Sequence, residues 1–201
     1  AGKPVLIALS DKIMSGHDPW SGQAYWTLEY GDGVDIGSKT AQVVKTSEHR
    51  FFVKGRVSDS TLFELSSTDL NAPPKEVWKT KHIKNTYVIP IYHDGLIFGY
   101  NGRILACVDA ATGELVWRSR EPGDGFPILV DGHLVIATKE GHLSVAPASR
   151  RGYEEIANIP VAADDLVWSP ATFVNKSLYV RSIQSWARVD IRPAPRVANT
   201  G

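Results

Sequence analysis

The side chains able to do acid–base, nucleophilic or metal chemistry are few and scattered. Cys107 is the only cysteine, so no internal disulfide can form. It lies in the apolar run Ile104-Leu105-Ala106-Cys107-Val108, where a thiol serves as a small buried hydrophobe. A nucleophilic thiol would need an activating base and access to solvent. The six histidines are His17, His49, His82, His93, His133 and His142. None is paired at the H-x-x-x-H spacing that sets two imidazoles on one helix face. His133 and His142 fall in adjacent expected strands, where a hairpin would let them meet as a solvated pair or part of a metal site. Asp124 and Asp164-Asp165 carry the oxygen ligands that calcium prefers. Calcium needs several such groups converging, and solvated turn positions suit these residues better. The chain has no Gly-x-Ser-x-Gly, phosphate loop or Ser-His-Asp spacing. No catalytic residue and no metal ligand is assigned from the sequence.

What would position such residues is a repeat. A nine-residue pattern, Asp-x-x-Ser/Thr-Gly-x-x-x-Trp, runs from Asp18 through Ser21 and Gly22 to Trp26. It recurs from Asp109 through Thr112 and Gly113 to Trp117. A looser copy, Asp69 to Trp78, has one extra residue. An Asp at a strand end can accept bonds from backbone N–H groups two residues on, with Ser or Thr supporting the same turn. Gly follows where the chain needs φ > 0, and strand character resumes up to the Trp. The pattern therefore predicts a tight hairpin.

A second marker keeps step with the first. Asp94-Gly95-Leu96-Ile97-Phe98 is echoed by Asp131-Gly132-His133-Leu134-Val135 and by Asn175-Lys176-Ser177-Leu178-Tyr179. Each is a turn entering an apolar strand. Each follows another short expected strand: 87–92, 126–130 and 170–174. Successive copies are roughly 37 to 51 residues apart, near the period of propeller blades. Each unit has room for about four short antiparallel strands. No helical stripe is sustained; the best helical candidate, 151–157, would make one or two turns.

Net charge is zero and hydrophobic content is 43%, the composition of an ordinary globular domain. Without a Lys/Arg block, nucleic-acid and anionic-membrane binding are not expected. No apolar run is long enough to cross a bilayer as a helix.

The Asp-x-x-Thr-Gly-x-x-x-Trp element, with the Asp-Gly-x-Leu strand before it, resembles the blade motif of the quinoprotein-type β-propellers. This family includes pyrroloquinoline-quinone (PQQ)-dependent alcohol dehydrogenases and cofactor-free relatives, among them a lipoprotein of the outer-membrane β-barrel assembly machinery. The resemblance runs from about residue 5 to 191. It implies an all-β chain of propeller blades, each of four antiparallel strands, about four to five blades in all. It also implies that Trp26, Trp117 and Trp78 dock between neighbouring blades. The segment 146–152 stands where a fourth motif belongs but lacks its Asp and Trp, so a different contact is expected there.

Closed propellers of this family commonly have seven or eight blades, so a partial propeller is expected, with self-association if its ring is incomplete. The chain starts at Ala1 without Met or signal peptide, as a mature form or an excised segment would. Residues 1–191 form the expected propeller segment and 192–201 a flexible tail.

The expected role is a non-catalytic scaffold that binds a protein or small ligand on its loops or central channel. By resemblance it is periplasmic or secreted and needs no cofactor. One alternative is a fragment of a PQQ-dependent dehydrogenase, with PQQ and calcium. This chain lacks the Cys-Cys pair that many such enzymes place against the quinone. Another alternative is a carbohydrate or cell-surface binding module. Candidate ligand contacts are Trp20, which sits in the first motif's turn, His17 beside it, Trp168 at a strand start lining the channel mouth, and Trp186, which alternation puts opposite Ala187 and Val189.

Overall fold

The computed structural model describes residues 3–10, 13–29, 43–55, 59–84, 87–162 and 165–191. They form five antiparallel sheets in chain order. The first holds β1 (Leu6–Leu9), β2 (Ile13–His17) and β3 (Ala24–Glu29). The second holds β4 (Val43–Lys45), β5 (Arg50–Val53), β6 (Ser60–Glu64) and β7 (Lys75–Thr80). The third is β8 (Ile91–His93), β9 (Leu96–Asn101), β10 (Ile104–Asp109) and β11 (Leu115–Ser119). The fourth is β12 (Gly125–Val130), β13 (His133–Thr138), β14 (His142–Pro147) and β15 (Ala157–Pro160). The fifth is β16 (Thr172–Val174), β17 (Ser177–Arg181) and β18 (Trp186–Asp190).

Every sheet is an up-and-down meander whose neighbours in sequence are neighbours in space. The opening strands of adjacent sheets approach one another, β4 with β8 and β8 with β12. These strands form the inner side, and the sheets radiate from it as propeller blades do. Four strands per blade holds for the three middle sheets. The first and fifth have three each among the described residues. By register, the strands described in the first sheet are the counterparts of β9 to β11 and those in the fifth the counterparts of β8 to β10.

Strand alternation explains why blades stack. Successive side chains point to opposite faces. In β9, Ile97 packs into the core shared with the second sheet and Phe98 into the core shared with the fourth. In β10, Ala106 and Val108 face the second sheet while Leu105 and Cys107 face the fourth. In β13, Leu134 and Ile136 face the third sheet, and Val135 and Ala137 the fifth. Middle strands are therefore apolar on both faces and read as unbroken hydrophobic runs. Full burial of each large side chain contributes about 1.5–3 kcal/mol.

The sheets have two distinct ends. One carries the hairpins joining first to second strands and those joining third to fourth; we term it the turn end. The other carries the remaining hairpins and the crossovers between blades. At the turn end, Asp94-Gly95, Asp131-Gly132 and Asn175-Lys176 all have positive φ at both residues, the signature of the two-residue turn that matches strand twist.

Several expectations are revised. Residues 151–156 make no helix; they are an irregular approach to β15. The strand expected over 87–92 is regular only from Ile91, because Pro90 has no N–H to give a ladder. The proposed tail 192–201, and Asp164, lie outside the described residues. Cys107 is fully buried, and burial pushes its thiol up to about 12, which keeps it protonated at neutral pH.

Candidate functional site

The turn end is where the repeated motif places its side chains. In the Asp109 turn, Asp109 Oδ1 accepts the backbone N–H groups of Ala111 (2.8 Å) and Thr112 (3.2 Å). The Gly113 N–H closes the loop on the Asp109 carbonyl at 2.8 Å. The Thr112 hydroxyl accepts the Glu114 N–H at 3.3 Å. Gly113 has φ of 75°, which a β-carbon resists. The Asp18 turn repeats this. Asp18 Oδ1 accepts the N–H groups of Trp20 (3.0 Å) and Ser21 (2.9 Å), and Ser21 Oγ accepts that of Gln23 at 3.3 Å. Gly22 has φ of 73°.

The two acids have different outer partners. Asp18 Oδ2 accepts the Tyr25 hydroxyl at 2.8 Å. The Ser21 N–H, then Tyr25, then the Trp20 N–H hold the Asp18 carboxyl down at about 2. Asp109 Oδ2 pairs with Arg150 from the fourth sheet. That guanidinium is the largest cause lowering its pKa, followed, after a smaller opposing effect of burial, by the two turn amides.

The tryptophans act between sheets. Trp78 donates its indole N–H to the Ala110 carbonyl of the third sheet at 3.2 Å. Trp117 donates to the Ser149 carbonyl of the fourth at 2.9 Å. Each also packs on a phenylalanine, Trp78 on Phe52 and Trp117 on Phe98. Trp26 is buried over Gly16 in the core between the first and second sheets. The segment 146–152, without Asp or Trp, still receives Trp117 and supplies Arg150. Tyr153 packs into the same core and shares a hydrogen bond with the buried Ser144, which in turn donates to Glu155. Ala157, not Trp, pairs with Val145 in the register where Trp117 pairs with Cys107.

The looser copy differs from its expected form. β6 ends at Glu64, and Leu65 N–H bonds the His49 carbonyl as Ala110 N–H bonds that of Gly95. Glu64 thus stands where Asp109 does, and Asp69 lies five residues on, within the loop 65–74. There it makes a local turn, accepting the Asn71 N–H at 2.9 Å. The loop has ten residues where the third sheet's, 110–114, has five.

That longer loop borders a cleft of about 510 Å³ at the turn end, between the first and second sheets. Trp26, Phe51, Val5 and Leu70 form apolar wall, while Lys3, Lys45, His49 and Arg50 alternate with Glu48 and Asp69 around it. The volume falls in the range of small-ligand and peptide sites. Sequence reading placed Trp26 and Asp69 as motif residues only. The loop-length difference between copies was the available signal for the cleft.

The other candidate contacts are dispersed. Trp20 is 78% exposed at the turn end, and His17 beside it bonds Ser15 Oγ (2.8 Å) and the Gly22 carbonyl (3.1 Å). Trp168 is at the crossover end in an irregular connection, four residues before β16, not at a strand start. It lies under Lys139 Nζ at 4.2 Å and edge-on to Phe126. Lys139 also pairs with Asp124 at 2.5 Å. Trp186 is exposed on the far face of the fifth sheet, with Val189 turned into the core. Asp165 accepts the N–H groups of Leu166 and Gln184, a turn role. His133 and His142 do not meet. His133 opens β13 opposite Pro147 and His142 opens β14 opposite Pro160, so the hairpin separates them by its full length. Among the described residues, no group of three or more His, Cys, Asp or Glu is placed to hold a metal. No helix among them is long and apolar enough to cross a membrane.

Sheets of three or four strands radiating from a common inner side and joined by indole-to-turn contacts define a β-propeller fold. Within that class, residues 66–152 match the family described as outer membrane protein assembly factor BamB, and the fold is BamB-like. BamB from Moraxella catarrhalis superposes with a TM-score of 0.68 at 11% identity, over 95% of this chain and 55% of that one. A chain of the mitotic checkpoint complex gives 0.68 at 15% identity, over 92% and 60%. Hsv2 from Kluyveromyces lactis gives 0.66 at 9%, over 96% and 61%. At these identities the likeness shows the fold alone. The chain spans little more than half the length of the solved chains it matches. Comparison with curated protein sequences finds no match.

Proposed function

We propose that this chain is a non-catalytic, extracytoplasmic scaffold that binds a protein segment at its turn end, in the cleft between the first and second sheets. The observation that carries this reading is a difference among equivalent junctions. Between the second and third sheets, and between the third and fourth, an indole N–H meets a turn carbonyl of the next blade. At the first junction a ten-residue loop stands in place of the short turn, and a cleft with an aromatic floor opens beside it. Aromatic surface framed by polar groups is the kind that anchors a peptide. The likeness of residues 66–152 to an outer-membrane assembly factor supports the extracytoplasmic part of this reading. No cofactor is part of the proposal.

Peptides selected on the immobilised chain test it. Binding should be lost with Leu70→Arg, at the cleft, and kept with Trp186→Ala, on the far face. Equal retention in both variants would remove the cleft from the function.

A further inference from the structure

The chain as a whole is balanced, with 22 basic and 22 acidic residues, but the balance is not kept locally. At the crossover end of the fourth sheet, Lys139 pairs with Asp124 at 2.5 Å. Between the second and third sheets, Lys84 pairs with Asp59 at 2.8 Å. Three exposed cations near that second pair are different. Among the described residues, no carboxylate lies within ion-pair distance of Lys81, Arg103 or Arg118.

The fold gathers these three from separate elements. Lys81 follows β7, and Asn101 donates its side-chain amide to the Lys81 carbonyl at 2.9 Å. A parallel bridge between Lys84 and Asn101 holds the rest of that segment against the end of β9. Arg103 lies two residues beyond Asn101, in the turn leading into β10. Arg118 pairs with Ala106 across β10 and β11, and Ala106 faces the second sheet, so Arg118 is on the side where Lys81 lies. His82 is half-buried among them. Burial lowers the pKa of its imidazole, and the charges of Lys81 and then Arg118 lower it further, against a smaller pull from Asp59. Both cations are thus close enough to act on one imidazole.

Like charges held together repel, and that cost falls when an anion arrives. The surroundings narrow which anion fits. Residues 80–84 and 101–104 include no Phe, Tyr or Trp on which a base could stack. Their apolar side chains are Ile83, fully buried, and Ile104, half-buried, so none is free to enter a bilayer. Arg103 and Arg118 each offer a planar fork of donors that matches a carboxylate.

We propose that Lys81, Arg103 and Arg118 form a docking surface at the crossover end for an acidic protein segment, an extended run carrying several Asp or Glu side chains. The surface is at the opposite end of the sheets from the cleft, so the two proposals stand or fall separately.

Fluorescence anisotropy of a labelled hexaglutamate peptide on the full chain tests it. Binding at low salt should weaken about tenfold on going from about 20 to about 200 mM salt, as screening shortens the reach of the charges. Lys81→Glu, Arg103→Glu and Arg118→Glu, all at exposed side chains that the core does not need, should each weaken binding several-fold and together abolish it. Arg151→Glu, the same change of charge at an exposed turn-end position, should leave it unaltered. In NMR titrations the amides of Lys81, His82, Gly102, Arg103 and Arg118 should shift. Four outcomes would overturn the surface: no binding at low salt, equal weakening by Arg151→Glu, shifts gathered on cleft residues such as Lys45 and His49, or binding of phosphatidylglycerol vesicles or single-stranded DNA in preference to the peptide.

Discussion

The turn at Asp109 and the turn at Asp18 are built from one pattern and end in different surroundings. The first lies between blades, under Trp78 and beside Arg150. The second lies at an open face, with Trp20 exposed and its acid bonded within its own sheet. The pair shows that the motif makes its turn by local hydrogen bonding alone. Docking is a separate event, added when another sheet supplies the indole. A residue with the same place in the motif can therefore carry a contact between blades in one copy and none in the other, as Gly113 and Gly22 do.

The largest expected effect contrasts an indole docked between blades with an indole exposed in a turn. Trp117→Ala should cost about 3–5 kcal/mol, the range for emptying a large aromatic site in a core. Trp20→Ala should cost less than about 1 kcal/mol, as an exposed side chain does. Urea denaturation of both variants measures this, and similar losses would erase the distinction.

The glycines give the next contrast. Gly113→Val and Gly22→Val share the backbone strain of positive φ, about 1–3 kcal/mol. Only Gly113→Val also drives a side chain into Trp78, adding about 1–3 kcal/mol of overpacking. The difference between the two midpoints isolates docking from turn geometry. Equal destabilisation would mean that Trp78 yields without cost.

The carboxylates give the smallest contrast, seen best by pH titration. Both are depressed in the folded chain, so each favours folding above the unfolded carboxyl value of about 3.9. That contribution is lost as pH falls through the folded value, about 2 for Asp18. Arg150→Gln should move the Asp109 midpoint up, since that guanidinium is its largest cause. Tyr25→Phe should move the Asp18 midpoint up while leaving it low, because the Ser21 N–H, its largest cause, remains. Carbon-detected NMR of the two side chains reads both. An unchanged Asp109 midpoint would assign its shift to the turn amides.

Legibility in the sequence followed the range of the forces. Asp18, Ser21, Gly22 and their counterparts at 109–113 were readable because an Asx turn needs only nearby backbone amides. The paired turns Asp94-Gly95 and Asp131-Gly132 were readable for the same reason. Asp69 misled, since an Asp in an expanded loop makes a similar local turn without ending a strand. His133 and His142 misled because alternation says which face a residue takes but not which end of a hairpin it occupies. Trp168 looked like the start of a strand and lies in a crossover held by Phe126 and Lys139. The cleft left only a loop-length difference in the sequence, because its walls come from two sheets.

By itself the sequence determined the repeat, the turns and the strand character, because these depend on period-two alternation and on hydrogen bonds spanning a few residues. Tertiary structure decided which faces are dry, which turn receives an indole, where Arg150 finds Asp109 and where a cleft opens. Each of these joins residues about thirty or more apart in sequence, and such contacts exist only once neighbouring sheets have stacked.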